Sequence, residues 1–166
     1  MKQVVAALIL KDDKILVCQR TRHQTMPLKW EFPGGKIETG EQPRDALRRE
    51  LDEELGINAT IGAEVMRMRH QYKTGSSVEL RFYVVREYAG TIENRIFRDV
   101  RWATRAELPG FDFLEADEKL VKDLAAGHGA SASDAHRQGR CWVCCHRQPE
   151  HGWHGAMWAD SLPCHH

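Results

Sequence analysis

Residues 35–57 read GKIETGEQPRDALRRELDEELGI and carry the strongest structural signal in the chain. Pro43 suits the first turn of a helix, where its missing N–H leaves no hydrogen bond unmade. Gly56 stands where a left-handed residue ends many helices. Between them, apolar residues recur at every fourth position and form one stripe: Leu47, Leu51 and Leu55. The pattern predicts a helix over residues 42–55.

Three glutamates share one face of this helix, because Glu50, Glu53 and Glu54 are spaced i, i+3 and i+4. Their mutual repulsion destabilises the helix unless a cation offsets it, and Arg49 alone carries too little charge. A divalent cation such as Mg²⁺ prefers oxygen ligands and often shares them with substrate phosphates. At this point the alternative is a solvated acidic face, which is common on helices.

Outward from the helix, the pattern alternates between strands and irregular segments. Residues 21–29 are predicted to form a loop, residues 33–35 a break, and residues 114–124 a last helix of about a dozen residues. Apolar or alternating runs predict strands at residues 4–10, 15–18, 59–70, 78–84 and 100–103, the first two joined as a hairpin. Mixed strands with two helices predict an α/β sandwich.

The overall charge narrows the classes of partner. The 166 residues include 24 basic and 24 acidic side chains, so the formal net charge is zero. This balance argues against a stable nucleic-acid partner, which normally meets a basic surface. We also expect no membrane partner and a cytoplasmic location, since no apolar run reaches the roughly 18 residues of a membrane span and no signal-peptide cleavage site follows the N-terminal apolar run. No oligomeric state is predicted.

Composition changes abruptly near Gly127. Residues 128–166 hold four of the five cysteines, seven of the nine histidines and three of the five tryptophans, with almost no aliphatic residues. So little apolar surface cannot offset the entropy of ordering a chain. We therefore predict a domain over residues 1–127 and an extra, poorly structured tail over residues 128–166 that is disordered or non-native.

The tail also contains the residue types that bind zinc. Cys141 and Cys144 have the spacing of half a tetrahedral site. The remaining candidates follow no regular spacing: Cys145, His146, His151, His154, Cys164, His165 and His166. Zinc binding and a partner-binding role are the alternatives to a poorly structured tail.

Residues 35–57 also match one longer pattern at every position, G-x5-E-x7-R-E-U-x-E-E-x-G-U, where U is apolar. Its fixed letters are Gly35, Glu41, Arg49, Glu50, Glu53, Glu54 and Gly56, and its apolar letters are Leu51 and Ile57. The chain thereby resembles the Nudix hydrolases. Residues 30–38, WEFPGGKIE, are similar to the MutT branch, whose relatives include 8-oxo-dGTP diphosphatases and CTP pyrophosphohydrolases. The resemblance implies the Nudix fold, an α/β/α sandwich around a mixed β-sheet.

The resemblance also implies a loop–helix–loop, called the box here (residues 35–57), that holds Mg²⁺ against a diphosphate. Mn²⁺ can replace Mg²⁺ in such a site. Glu50, Glu53 and Glu54 are then the catalytic metal ligands, the backbone carbonyl of Gly35 adds a ligand, and Glu50 is our choice for orienting the attacking water. Glu41 and Arg49 would support the box structurally.

Four further residues are implied to bind the substrate: Arg20, Glu31, Phe32 and Asp117. Asp117 stands where MutT has an asparagine that reads the oxidised guanine, and this departure leaves the base open. An ionised carboxylate only accepts hydrogen bonds, whereas an amide also donates them. Plainer alternatives are a surface arginine at Arg20, a core side chain at Phe32 and a favourable helix-start charge at Asp117.

A second departure concerns the metal. MutT relatives place one more glutamate between the last two strands, and an ungapped count puts Ile96 there. Ile96 cannot bind a metal, and Glu93 is the nearest carboxylate. We expect a site with fewer protein ligands rather than a substitution by Glu93.

These residues together predict an Mg²⁺-dependent nucleoside triphosphate pyrophosphohydrolase of the MutT type. It would hydrolyse NTP or dNTP, including 8-oxo-dGTP, to the monophosphate and pyrophosphate, and so serve nucleotide-pool sanitation and DNA repair. The alternative substrates are CTP or modified pyrimidine nucleotides and, against the MutT-like residues 30–38, nucleoside diphosphate-sugars, dinucleoside polyphosphates or capped RNA. The alternative of another class is a catalytically silent nucleotide sensor, which the intact carboxylates disfavour.

Overall fold

The structure is a computed structural model that describes residues 1–127. Its elements are, in chain order, β1 (Lys2–Lys11), β2 (Lys14–Gln19), β3 (Trp30–Glu31), β4 (Gly34–Lys36), α1 (Pro43–Leu55), β5 (Asn58–Thr60), β6 (Glu64–Gln71), β7 (Ser77–Val85), β8 (Glu87–Ala89), β9 (Asp99–Thr104) and α2 (Glu118–Ala125). Strands β5 and β8 form a separate two-stranded sheet, and the other seven form the main sheet. The predicted tail and its candidate zinc ligands lie outside the described residues.

The main sheet is mixed and opens between β1 and β2. Strand β1 runs parallel to β7 over residues 2–9, whereas β1 and β2 pair only at the two residues on each side of their hairpin turn. The gap is filled by the segment Trp30–Lys36: β3 pairs with β2, β4 pairs with β1, and Ala7 N–H donates to the Pro33 carbonyl at 2.8 Å. The sheet therefore holds the start of the box between two strands.

The two helices cover opposite faces of this sheet. Alternate residues of β1 point to opposite sides, as the period of two requires. Val5, Ala7 and Ile9 pack with the leucine stripe of α1, and Ala6, Leu8 and Leu10 share a cluster with the apolar side of α2. The α/β/α sandwich around a mixed sheet is confirmed.

Helix α1 forms where the sequence predicts it. Pro43 occupies the first turn, and Gly56 ends the helix with φ 69°, in the left-handed region that glycine adopts at little cost. The loop before β9 donates to carbonyls at the end of α1: Arg95 Nη1 donates to Asp52 O at 3.0 Å, and Glu93 N–H donates to Leu55 O at 2.8 Å. A cation at a helix C-terminus also complements the helix dipole.

Three sequence predictions need correction. The strand expected over 59–70 is two strands, because the chain turns at Gly62, whose N–H donates to Val84 O at 2.8 Å. The break expected at 33–35 contains β4, since the edge of β1 offers hydrogen-bond partners there. The last helix is an eight-residue α2 preceded by a separate 3-10 turn, Glu115–Asp117. Within residues 1–127, neither helix has the length and apolar character that crossing a bilayer requires.

Candidate active site

Arg49 ties the loop of the box to its helix. Its Nε and Nη2 each donate at 2.9 Å to one oxygen of Glu41, and Nη2 also donates to Lys36 O at 3.0 Å. Its Nη1 donates to Glu50 at 2.9 Å. The hydrogen bond from Arg49 lowers the pKa of Glu41, so this pair stays ionised. These contacts suit the structural support proposed for Glu41 and Arg49.

Glu50 lies directly against Gly35. A Cβ on Gly35 would lie 2.3 Å from the carboxyl carbon of Glu50, which is too short for a non-bonded contact. Burial raises the pKa of Glu50, and the hydrogen bond from Arg49 opposes that rise. Glycine at position 35 thus lets the backbone of the box approach the Glu50 carboxylate closely.

Glu54 is the most perturbed carboxyl of the box. It is 9% exposed, and its carboxylate accepts a hydrogen bond from Gly34 N–H at 3.2 Å. Burial raises its pKa to about 9, and the charges of Glu50 and Glu31 add to that rise. The third glutamate, Glu53, is exposed and lies 3.5 Å from Arg49 Nη1. Within residues 1–127, no basic side chain pairs with Glu54 to compensate its ionised form.

The donors fit a hard divalent cation in type. They are three carboxylates and a backbone carbonyl, all oxygen ligands, and a cation would relieve the charge that burial and neighbours make costly at Glu54. The side chains are not drawn together beforehand: in residues 1–127, no group of three His, Cys, Asp or Glu side chains surrounds a common point. Glu50, Glu53, Glu54 and the Gly35 carbonyl remain the predicted ligands.

A second group of predicted residues meets beside the box. Arg20 Nη1 donates to Glu31 at 2.9 Å, and both side chains are 17% exposed. Burial raises the pKa of Glu31, with Arg20 opposing the rise. Asp117 is 4% exposed and accepts the Phe32 N–H, and burial raises its pKa well above the ordinary value, with a further contribution from Glu31. Arg20, Glu31 and Asp117 therefore share one electrostatic environment.

Comparison with known proteins identifies the family. The family model described as NUDIX domain matches residues 1–124. The chain belongs to the Nudix family. It is 38% identical over 135 residues to "Putative 8-oxo-dGTP diphosphatase 2" of Mycobacterium tuberculosis, covering 81% of this chain and 96% of that protein. It is 36% identical over 134 residues to "CTP pyrophosphohydrolase" of Escherichia coli K12, covering 81% and 98%.

A solved structure also resembles this fold. The solution structure of the E. coli ORF135 protein superposes with a TM-score of 0.67 at 35% identity, covering 84% of this chain and 93% of that one. The matched family and these relatives show that the chain is a Nudix hydrolase, an enzyme of the MutT type.

Phe32 has a packing role in this Nudix domain. Its ring is 4% exposed and stacks on Phe113 with centroids 5.2 Å apart, and it meets Phe82 edge to face. The plainer of the two interpretations, a core side chain, describes its ring. Its backbone N–H contacts Asp117, so its link to the predicted substrate site runs through the main chain.

Ile96 and Glu93 occupy the loop that caps α1. Ile96 is 43% exposed, and the Glu93 carboxylate lies 3.5 Å from Arg95 Nη2. The backbone of this loop is held by the end of α1, since Arg95 N–H donates to Glu54 O at 3.1 Å. The contact between Glu93 and Arg95 is solvent-exposed, and the site with fewer protein ligands stays a prediction.

Sequence reasoning missed two residues near Asp117. The Tyr72 pKa is raised by burial and then by the charges of Asp117 and Glu115, so its hydroxyl lies near the turn that carries Asp117. His70 packs edge to face on Tyr72, with ring centroids 4.7 Å apart. A signal was present in the alternation of β6, where a histidine follows Met66 and Met68 on one face.

Gly35→Ala should reduce hydrolysis by about 100-fold, because the added Cβ displaces Glu50 from the loop and misplaced catalytic groups lose rate steeply. The backbone at Gly35 is outside the left-handed region, so the fold should persist. The measurement is kcat/KM together with the melting temperature. Gly110→Ala, at an open position, is the control and should behave like the unchanged chain. Full activity in Gly35→Ala would show that Glu50 works away from Gly35.

Proposed function

We propose that this Nudix hydrolase is an Mg²⁺-dependent nucleoside triphosphate pyrophosphohydrolase, releasing a nucleoside monophosphate and pyrophosphate. The observation that carries the proposal is the buried Glu54, which lies beside Glu50 and against the glycine loop and pairs with no basic side chain in residues 1–127. Such an arrangement is unfavourable for a structural helix and suits a site completed by a cation and a phosphate.

The chain supplies binding and orientation for an in-line attack of water on phosphorus. A bound divalent ion would neutralise the phosphate oxygens and lower the pKa of bound water. Glu50, Glu53 and Glu54 would hold that ion, and Arg49 holds Glu50 by a 2.9 Å hydrogen bond. Glu50 is proposed to orient the attacking water, since it is a largely buried carboxylate next to the loop. Glu41 keeps the Arg49 guanidinium in place through two hydrogen bonds.

The nucleoside is proposed to lie over the second group of residues. Arg20 and Glu31 form a partly buried pair, and Asp117 faces them from the turn before α2. Together with the Phe32 backbone they offer donors and acceptors in a setting largely shielded from water, where hydrogen bonds discriminate between bases.

The leading substrate is a purine nucleotide such as 8-oxo-dGTP, after the relative that is 38% identical. The second candidate, CTP or a modified pyrimidine nucleotide, is favoured by the relative that is 36% identical and by a carboxyl in place of an amide at Asp117. In either case we propose nucleotide-pool sanitation in the cytoplasm, without a stable nucleic-acid partner, in keeping with the zero net charge.

The test is initial-rate hydrolysis with Mg²⁺ across 8-oxo-dGTP, dGTP, CTP, dCTP, 5-methyl-dCTP, ADP-ribose and a dinucleoside tetraphosphate, detecting pyrophosphate and phosphate separately. Preference for a triphosphate with pyrophosphate release supports the proposal. Cleavage of only ADP-ribose or the tetraphosphate contradicts it. No turnover with retained nucleotide binding would favour the nucleotide sensor.

Glu53→Gln should lower the rate on the preferred nucleotide by at least about 100-fold, because it removes one charge from the cation site. Glu53 is exposed, so the melting temperature should stay unchanged. Rates with and without Mg²⁺ and thermal unfolding measure both effects. Glu87→Gln, an exposed carboxylate on β8, is the matched control. Equal rates for the two variants would remove Glu53 from the site.

A further inference from the structure

Strand β6 carries a histidine where the fold provides an apolar position. Its residues alternate, and those paired with the buried face of β7 point towards the α2 side: Met66, Met68 and His70 pair with Phe82, Leu80 and Val78. The imidazole of His70 is only 16% exposed. A leucine or methionine would continue the stripe without any polar atom to satisfy.

One nitrogen of this imidazole, Nε2, lacks a hydrogen-bond partner within residues 1–127. In residues 1–127, Nε2 of His70 is the one buried side-chain nitrogen or oxygen without one. The carboxylate of Glu115 approaches it to 3.9 Å, which is beyond hydrogen-bond distance. A buried polar atom left unpaired lowers the stability of the fold, and native proteins rarely keep one without another reason.

The surroundings of His70 belong to the proposed nucleoside site. Its ring contacts Tyr72 edge to face. The charges of Asp117, Glu115 and Glu31 raise the pKa of Tyr72, and the charge of Arg20 lowers it. Glu115 begins the 3-10 turn that ends at Asp117, and its side chain is 56% exposed and free to move aside. The unpaired nitrogen therefore lies beside the turn that presents Asp117.

We infer that His70 is a specificity-determining residue of the nucleotide site, whose Nε2 forms a hydrogen bond with a polar edge of the bound nucleobase. The inference rests on the proposed function. Before the nucleotide binds, the Glu115 side chain covers Nε2, and the entering base takes its place. A neutral imidazole offers one donor and one acceptor, so His70 can pair with an amino or a carbonyl group of a base.

His70→Phe keeps an aromatic ring in the stripe and removes both nitrogens. We expect kcat/KM for the preferred nucleotide to fall about tenfold, mainly through KM, while the poorest nucleotide of the panel changes by less than about twofold. The melting temperature should stay equal or rise, since the unpaired atom is gone. His70→Gln, which keeps a donor and an acceptor, should recover part of the selectivity. Met68→Leu, on the same face, is the control that should leave selectivity unchanged.

A binding measurement separates contact with the base from contact with the phosphates. The imidazole NMR signals of His70 are followed on adding Mg²⁺ with either a nonhydrolysable imidodiphosphate nucleotide or inorganic tripolyphosphate. The nucleotide alone should shift them. Equal shifts with tripolyphosphate, or unchanged selectivity in an active His70→Phe, would overturn this inference and leave the proposed function standing. A chain that neither hydrolyses nor binds any nucleotide would overturn both.

Discussion

Glu54→Gln should lower hydrolysis by about 1,000-fold or more and, at the same time, raise the melting temperature of the metal-free protein near about pH 8. The amide oxygen of glutamine can still accept the Gly34 N–H, so the local hydrogen bond persists. What disappears is a carboxylate whose ionisation the site opposes through burial and through Glu50 and Glu31. The carboxylate that the reaction needs is therefore also one whose ionisation lowers the stability of the fold.

The direction of this stability change follows from how many protons the folded and the unfolded chain bind. The pKa of Glu54 is about 9 in the folded protein against 4.5 for an ordinary glutamate. Between these values the unfolded chain releases a proton that the folded chain retains, so stability falls as the pH rises through this window. Because Glu50 is part of the same repulsion, not all of this shift counts against Glu54 alone. We expect the folded protein to lose about 2–4 kcal/mol of unfolding free energy at about pH 8, or roughly 5–15 °C in melting temperature.

Thermal unfolding from about pH 5 to pH 9, in a chelator, measures this effect. The unchanged protein should lose stability across the range, whereas Glu54→Gln should show a flatter profile. Mg²⁺ should restore the unchanged protein most at the alkaline end, because a cation bound to the folded state stabilises it. Glu53→Gln, at an exposed position, should change the profile little. Parallel profiles for Glu54→Gln and the unchanged protein would contradict the unfavourable charge.

The box was predictable because its signals are local. Pro43, the leucine stripe and Gly56 lie within one helix, and the structure places the ends of α1 where these residues predict them. Glu41 and Arg49 are eight residues apart, so their contact needs only the loop and the helix to meet. In short-range patterns of this kind, the residue spacing itself determines which side chains lie close together.

Contacts across the sheet were beyond such reasoning. The segment Trp30–Lys36 enters a gap between β1 and β2 that exists only once the sheet has formed, and it was predicted to contain a break. Asp117 meets the backbone of Phe32, far away in sequence, so nothing near either residue signals the contact. The Phe32 ring then faces the core, although family resemblance suggested a substrate contact. His70 is a similar case, since only the folded β6 shows that its nitrogen is unpaired.

Asp117→Asn should keep most of the activity on the preferred nucleotide, within about threefold, whereas Asp117→Ala should lose about 100-fold in kcat/KM. Burial raises the pKa of Asp117 well above its ordinary value, which favours the protonated carboxyl over the carboxylate. A protonated carboxyl has one donor and one acceptor and in this respect equals the amide of asparagine. Alanine removes both and leaves the Phe32 N–H without its partner.

The pH dependence of base selectivity tests whether the Asp117 carboxyl carries a proton. As the pH rises through the raised pKa of Asp117, the unchanged enzyme loses its donor and should lose selectivity between bases, whereas Asp117→Asn has no proton to lose. The measurement is kcat/KM for the best and the poorest nucleotide from about pH 6 to pH 10 in both proteins. Glu54 titrates in both, so the ratio between nucleotides cancels its contribution and isolates Asp117. If Asp117→Asn were as poor as Asp117→Ala, the ionised carboxylate would be the required form, because an acceptor alone suits the exocyclic amino group of cytosine. That result would move the substrate to the CTP-acting relatives.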